Sequence, residues 1–120
     1  MTYRLGRFEE IVLMTIARVG PDAYGMTIRQ ELAERTGKGV SVGAVYTTLE
    51  RLERKGYVSS RLGEATSERG GRAKRFFRVE YLGDRALNAS LETLFRMMPD
   101  GDADQTDWRD TTNAAEETNR

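Results

Sequence analysis

Hydrophobic residues at Leu5, Phe8, Val12, Ile16 and Val19 fall on one stripe at the 3.6-residue period, which predicts a helix over Leu5–Val19. Ile11, Leu13 and Met14 spread apolar surface around much of the remaining circumference. A helix that is apolar nearly all round must be covered on more than one side, and in a chain this small another subunit can supply the second cover. Gly20-Pro21-Asp22 ends the pattern with a flexible residue followed by one that cannot continue a helix. The period resumes over Tyr24–Thr36, with Ile28 and Leu32 inward and Arg29, Gln30, Glu31 and Glu34 facing water, and Thr36-Gly37-Lys38-Gly39 stops it.

Val40-Ser41 leads directly into a third helix, so the second and third are joined by only a few residues. That is the signature of a helix-turn-helix. Ser41 is placed to cap the new helix by accepting from a backbone N–H of the first turn. Val42, Val45, Leu49 and Leu52 share its inner face. Gly43, Thr47, Glu50, Arg51 and Arg54 lie opposite, with Ala44 and Tyr46 at the edges. The first two turns of that outer face carry no large or acidic side chain before Glu50. Two readings fit: a backbone free to press against base edges in a major groove, or an ordinary amphipathic helix with a weakly charged exterior.

After Lys55-Gly56 the period changes to two. Tyr57–Leu62 reads as a strand and Lys74–Val79 as its partner, with Phe77 and Val79 inward and Lys74, Phe76 and Arg78 outward. Gly70-Gly71 lets the intervening loop turn, and Arg69, Arg72, Lys74 and Arg75 crowd around it. A basic hairpin tip of this kind suits phosphate or a minor groove; the competing reading is a solvated loop whose arginines protect a strand edge. A helix running into such a hairpin is the arrangement of a winged helix-turn-helix, and it favours the DNA reading.

A last helix is predicted over Leu82–Met98. Leu87, Leu91, Leu94 and Met98 recur at alternating four- and three-residue steps, with Phe95 beside them, as in a coiled-coil seam. The seam suits either a symmetry mate or the chain's own core. Pro99 ends the helix. The remaining residues are acidic and poor in large apolar side chains, apart from Trp108, and are expected to be disordered.

Composition narrows the chemistry. The chain has 120 residues, 38% hydrophobic and 32% charged, which fits one globular domain with a modest core. It contains neither Cys nor His, which removes disulfides, the commonest zinc sites and Ser-His or Cys-His catalysis together. No run of 18 apolar residues and no signal-type N-terminus is present, so the expected location is cytoplasmic, without membrane insertion. The net charge of zero averages unlike parts: residues 1–87 hold 16 Lys and Arg against 11 Asp and Glu, and residues 88–120 hold 3 against 8. A basic body with an acidic tail suits a nucleic-acid binder, or equally a solubilising tail arising by chance.

The run from Leu5 to Leu87 resembles the PadR family of bacterial transcriptional regulators. The resemblance rests on LGRFEEIVLMTIARVG, on AYGMTIRQELAERTGKGVSVGAVYTTLERLERKGYV and on SSRLGEATSERGGRAKRFFRV. It is to the short members with a single C-terminal helix. It implies a mainly α fold with a small antiparallel hairpin (α+β), a winged helix-turn-helix over 1–81 and a dimerisation helix over 82–98, which leaves the acidic tail read from composition over 99–120. It implies Ser41, Gly43, Ala44, Tyr46 and Thr47 at the DNA-facing start of the recognition helix, and Arg69, Arg72 and Lys74 in the wing. With Arg51 and Arg54, these are the expected DNA-binding residues. It also implies a homodimer in which the last helix packs on the first helix of the other subunit, through Phe8, Ile11, Leu87, Leu91, Leu94, Phe95 and Met98. Some members bind aromatic or drug-like effectors at that interface; no effector is identifiable here. Where the family often has Leu-Thr before the last helix this chain has Val79-Glu80, so a Thr N-cap is missing.

The expected function is therefore sequence-specific binding of a pseudo-palindromic double-stranded operator by a dimeric repressor, with no cofactor, metal or catalysis. The alternative is a winged helix that docks an acidic protein and binds no DNA. An enzyme with GEATSERGGRAK as a phosphate loop fails, because no Gly-Lys-Ser/Thr follows and a strand rather than a helix comes next.

Overall fold

The computed structural model describes residues 5–64 and 73–99. Expectations for Arg69, Gly70, Gly71, Arg72, Trp108 and the tail from residue 100 onward lie outside those residues.

Helix α1 (Arg7–Val19) begins where the Gly6 N–H donates to Glu9 Oε1 at 2.8 Å, satisfying one of the first-turn amides. Val12, Leu13 and Ile16 are at most 2% exposed. Helix α2 (Gly25–Thr36), helix α3 (Val42–Arg54), strand β2 (Arg75–Val79) and helix α4 (Tyr81–Met97) all pack on α1. Much of the cover its apolar circumference demands thus comes from within the chain, with Ile11 and Met14 half-buried against the core.

A single 3-10 turn, Gly20–Asp22, swings the chain from α1 towards α2. The Tyr24 N–H donates to Thr27 Oγ1 at 3.0 Å at the head of α2. At its other end Gly37 takes the left-handed conformation, φ 73°, and its N–H reaches the Ala33 carbonyl at 2.9 Å. Ile28 and Leu32 are buried as expected. Arg29 and Glu31, expected in water, are half-buried and engaged. Arg29 Nε donates to the Val40 carbonyl at 2.7 Å, bracing the link to α3, and Glu31 pairs with Arg18 and Arg35.

In α3, Ser41 Oγ accepts from the Ala44 N–H at 3.1 Å, the cap read from the sequence. Val45, Leu49 and Leu52 are fully buried, but Val42 is 41% exposed. The first turn of α3, Ser41–Ala44, stands clear of the core, so an apolar residue there finds nothing to cover it. Thr48 takes an inward place the apolar pattern had left unassigned.

Gly56, at φ 79°, ends α3 and lets the Tyr57 N–H close on the Leu52 carbonyl. Strand β1 (Val58–Leu62) pairs antiparallel with β2, from Val58 opposite Val79 to Leu62 opposite Arg75. The outer edge of β2 also meets the segment before α2: Tyr24 forms an isolated bridge with Phe76, and the Phe77 N–H donates to the Ala23 carbonyl at 2.8 Å. Two residues between helices carry no strand periodicity, so this pairing has no sequence signal.

Glu80 precedes α4 with no side-chain cap on the helix, as the absent Thr foretold. Its N–H donates instead to the Tyr57 carbonyl, and its carboxylate accepts from Ser59 Oγ and from Arg78 Nε. Those donors, the Ser59 hydroxyl first, hold the carboxyl below its ordinary pKa. Gly83 brings the helix backbone against Tyr57, just before β1: a Cβ there would lie 2.2 Å from the Tyr57 carbonyl oxygen. Ala86 and Leu87 complete the core, so the first half of α4 belongs to it.

Candidate nucleic-acid interface

Anchored by Val45, Leu49 and Leu52, α3 turns Ser41, Gly43, Ala44, Thr47, Arg51 and Arg54 to solvent. A Cβ added at Gly43 would meet only Ser41 Oγ, at 4.0 Å, so the space beyond this face is open. The result is a solvent-facing helix edge with Ser41, Gly43, Ala44 and Thr47 at its start and Arg51 and Arg54 at its end. Tyr46 is half-turned from it: its ring covers Gly25, where an added Cβ would lie 2.3 Å from the Tyr46 hydroxyl. The missing side chain at Gly25 lets α3 sit closely over the start of α2.

The far end of α3 is tied to α1. Lys55 Nζ sits 2.9 and 3.0 Å from the two oxygens of Glu9, which is 5% exposed. Burial pushes the Glu9 carboxyl up, but the Lys55 ammonium, the Gly6 N–H and the nearby Arg51 charge together outweigh it, and the pKa lies below the ordinary value. The next residue, Glu10, accepts from the Ser90 hydroxyl of α4. Two adjacent acids on α1 therefore tether the end of α3 and the last helix to one support. Sequence reading missed both, because a carboxylate inside an apolar helix reads as its exposed side.

On the hairpin, Lys74 Nζ stands 4.6 Å over the ring of Tyr24, and the Arg61 guanidinium 4.8 Å over that of Phe76. The two rings meet edge to face at 5.5 Å. Phe76, read as outward, is thereby half-buried. Lys74 was expected in the wing; Tyr24, Phe76 and Arg61 were not singled out, since their meeting depends on the isolated bridge between Tyr24 and Phe76. Arg75 and Arg78 are engaged by Ser60 and Glu80. Behind the hairpin a cleft of about 680 Å³ runs between the end of α1 and the sheet, with Ile16, Ala17, Phe77 and Val79 against Arg61 and Arg78.

The residues expected at a dimer interface divide by depth. Leu87 is 1% exposed, inside the chain's own core. Phe8, Ile11, Leu91 and Phe95 are half-buried. Leu94 and Met98 are 44% and 54% exposed, and Met97, not anticipated, is 79% exposed beside them. Among the described residues no group of three or more potential metal ligands converges, and no helix is long and apolar enough to cross a membrane.

The sequence pattern described as the transcriptional regulator PadR-like family matches residues 12–89. No curated protein matches the chain. Among solved structures, the chain is similar to the complex structure of hsRosR-SG, with 27% identity, a TM-score of 0.64, and coverage of 98% of this chain and 96% of that one. It is similar to the complex structure of hsRosR-S4 at 28% identity and TM-score 0.63, covering 95% and 90%. A PadR-like transcriptional regulator from Bacillus cereus shares the fold at 21% identity and TM-score 0.59, over 75% of this chain and 82% of that one.

Proposed function

This chain belongs to the PadR-like family of transcriptional regulators, and on that ground we propose that it binds a pseudo-palindromic operator in double-stranded DNA as a homodimer and represses transcription. The observation that carries this reading is the leading turn of α3, capped by Ser41, small at Gly43 and Ala44, backed by the buried Val45, Leu49 and Leu52 and open to solvent at Gly43. A helix so built enters a major groove without steric conflict. Ser41, Gly43, Ala44 and Thr47 meet base edges, thymine methyls and bridging water, while Arg51, Arg54, Tyr46 and Lys74, with Arg69 and Arg72 of the wing, hold phosphates. The dimer forms through the second half of α4, where Leu94, Met97 and Met98 stand uncovered, against α1 of the partner near Phe8 and Ile11. Two copies then present their α3 helices about 34–36 Å apart, one turn of duplex.

The test is titration of the full chain with the duplex lying beside its own gene and with an unrelated duplex, at several salt concentrations, alongside light scattering. The expected outcome is a dimer that binds its own site at least about 10³-fold tighter than unrelated DNA. A monomer at micromolar concentration, or no binding to any duplex at low salt, would overturn the proposal. In the latter case an acidic protein becomes the partner to seek.

A further inference from the structure

Most described arginines of the hairpin region are committed: Arg75 to Ser60, Arg78 to Glu80. Arg61 is different. Its guanidinium lies over the Phe76 ring at 4.8 Å, and among the described residues no carboxylate or carbonyl takes its N–H groups. A guanidinium held over an aromatic ring is steadied by the cation–π attraction while its N–H groups stay available to a phosphate. Lys74 repeats the arrangement over Tyr24 at 4.6 Å, and the two rings support each other edge to face. This pair of ring-held cations also has a place in the molecule. Tyr24 leads into Gly25, and Gly25 lies against the Tyr46 side chain of α3, so the pair sits beside the start of α2 where α3 packs on it.

We propose that Arg61 is a second phosphate-binding residue of the hairpin, oriented by Phe76, and that with Lys74 on Tyr24 it holds one strand of the duplex backbone between the wing and the start of α2. Arg61 binds; Phe76 and Tyr24 are positioning residues. This rests on the DNA-binding reading above and adds a contact that the hairpin-tip arginines do not supply. A purely structural stack, stapling the hairpin to α2, uses the same rings, so the test must read charge on DNA rather than stability.

The experiment measures affinity for the chain's own operator and for an unrelated duplex between 50 and 200 mM salt, for the wild type, Arg61→Gln, Arg61→Lys and Phe76→Leu. Each phosphate contact adds about 0.9 to the slope of log affinity against log salt, so the Arg61→Gln variant should lose about threefold less affinity across that range than the wild type does. The loss at low salt should be equal on both duplexes, and Arg61→Lys should restore the slope. Phe76→Leu, which keeps the charge but frees it, should fall between wild type and Arg61→Gln in slope. Thermal unfolding of the exposed Arg61 variants should match the wild type. An unchanged slope in Arg61→Gln assigns the stack to structure alone and overturns the proposal. A loss confined to the operator would make Arg61 a base reader and overturn it too. Wild-type protein that binds neither duplex would instead sink the DNA reading itself, a separate and recognisable failure.

Discussion

Gly43 illustrates how one residue divides stability from binding. Its surroundings are open, and α3 would gain up to about 1 kcal/mol from a residue with better helix propensity. Gly43→Leu should therefore leave the melting temperature equal to or above wild type, while a four-carbon side chain on the leading turn abolishes operator binding; retained binding would show that this face does not approach bases. Glu9 makes the complementary case. Replacing it with Gln leaves Lys55 without its buried acid and should cost about 1–2 kcal/mol near neutral pH. Because the folded pKa of Glu9 is depressed, its contribution is fully present above the ordinary carboxylate value and disappears as pH falls through the folded value. Denaturant titrations of wild type and Glu9→Gln should therefore converge as pH falls below the ordinary carboxylate range. A constant gap from neutral to acid would mean that the charge on Glu9 is not what stabilises the link.

At the scale of elements, the pattern of apolar residues located all four helices to within one or two residues, because each has a core-facing stripe that no other structure would bury. It also located both strands of the hairpin. It missed what depends on one element meeting another: the isolated bridge between Tyr24 and Phe76, the half-burial of Phe76 there, and the inward place of Thr48. The join between β1 and α4 is the sharpest of these meetings. Gly83→Ala would drive a methyl to 2.2 Å from the Tyr57 carbonyl oxygen, and backbone at that point has nowhere to yield. A loss of about 2–4 kcal/mol is expected from the enforced shift, read as a lower denaturant midpoint with an unchanged slope. By contrast Gly25→Ala meets the end of a Tyr46 side chain that can swing aside, so its cost should be smaller, about 1 kcal/mol, and should vanish in the background of Tyr46→Ala.

On the proposed reading the whole molecule works as a dimer, of which one chain is half. Its own core uses α1 on most sides and the first half of α4, leaving Leu94, Met97 and Met98 exposed along the second half. Leu94→Asp should weaken self-association by about 10- to 100-fold, without altering the melting temperature of the dilute chain, because it removes an apolar contact that the monomer does not bury. Sedimentation across a concentration series would measure this; an unchanged distribution would place the dimer contact elsewhere. The same variant should lose operator affinity more than non-specific affinity, since only the paired recognition helices depend on spacing.

What the residues alone determined was local in origin. Helix stripes, the Ser41 cap, the glycine stops and the basic hairpin each follow from a period or a side chain acting on its near neighbours in the chain. Tertiary structure decided everything that needed two distant segments in one place. It tied Lys55, at the end of α3, to Glu9 of α1, tied Ser90 of α4 to Glu10, withdrew Leu87 into the core, and set Arg61 and Lys74 over rings brought together by the Tyr24–Phe76 bridge. The reason is physical: periodicity reports which side of an element avoids water, whereas partners across the fold are chosen only when those sides close on one another.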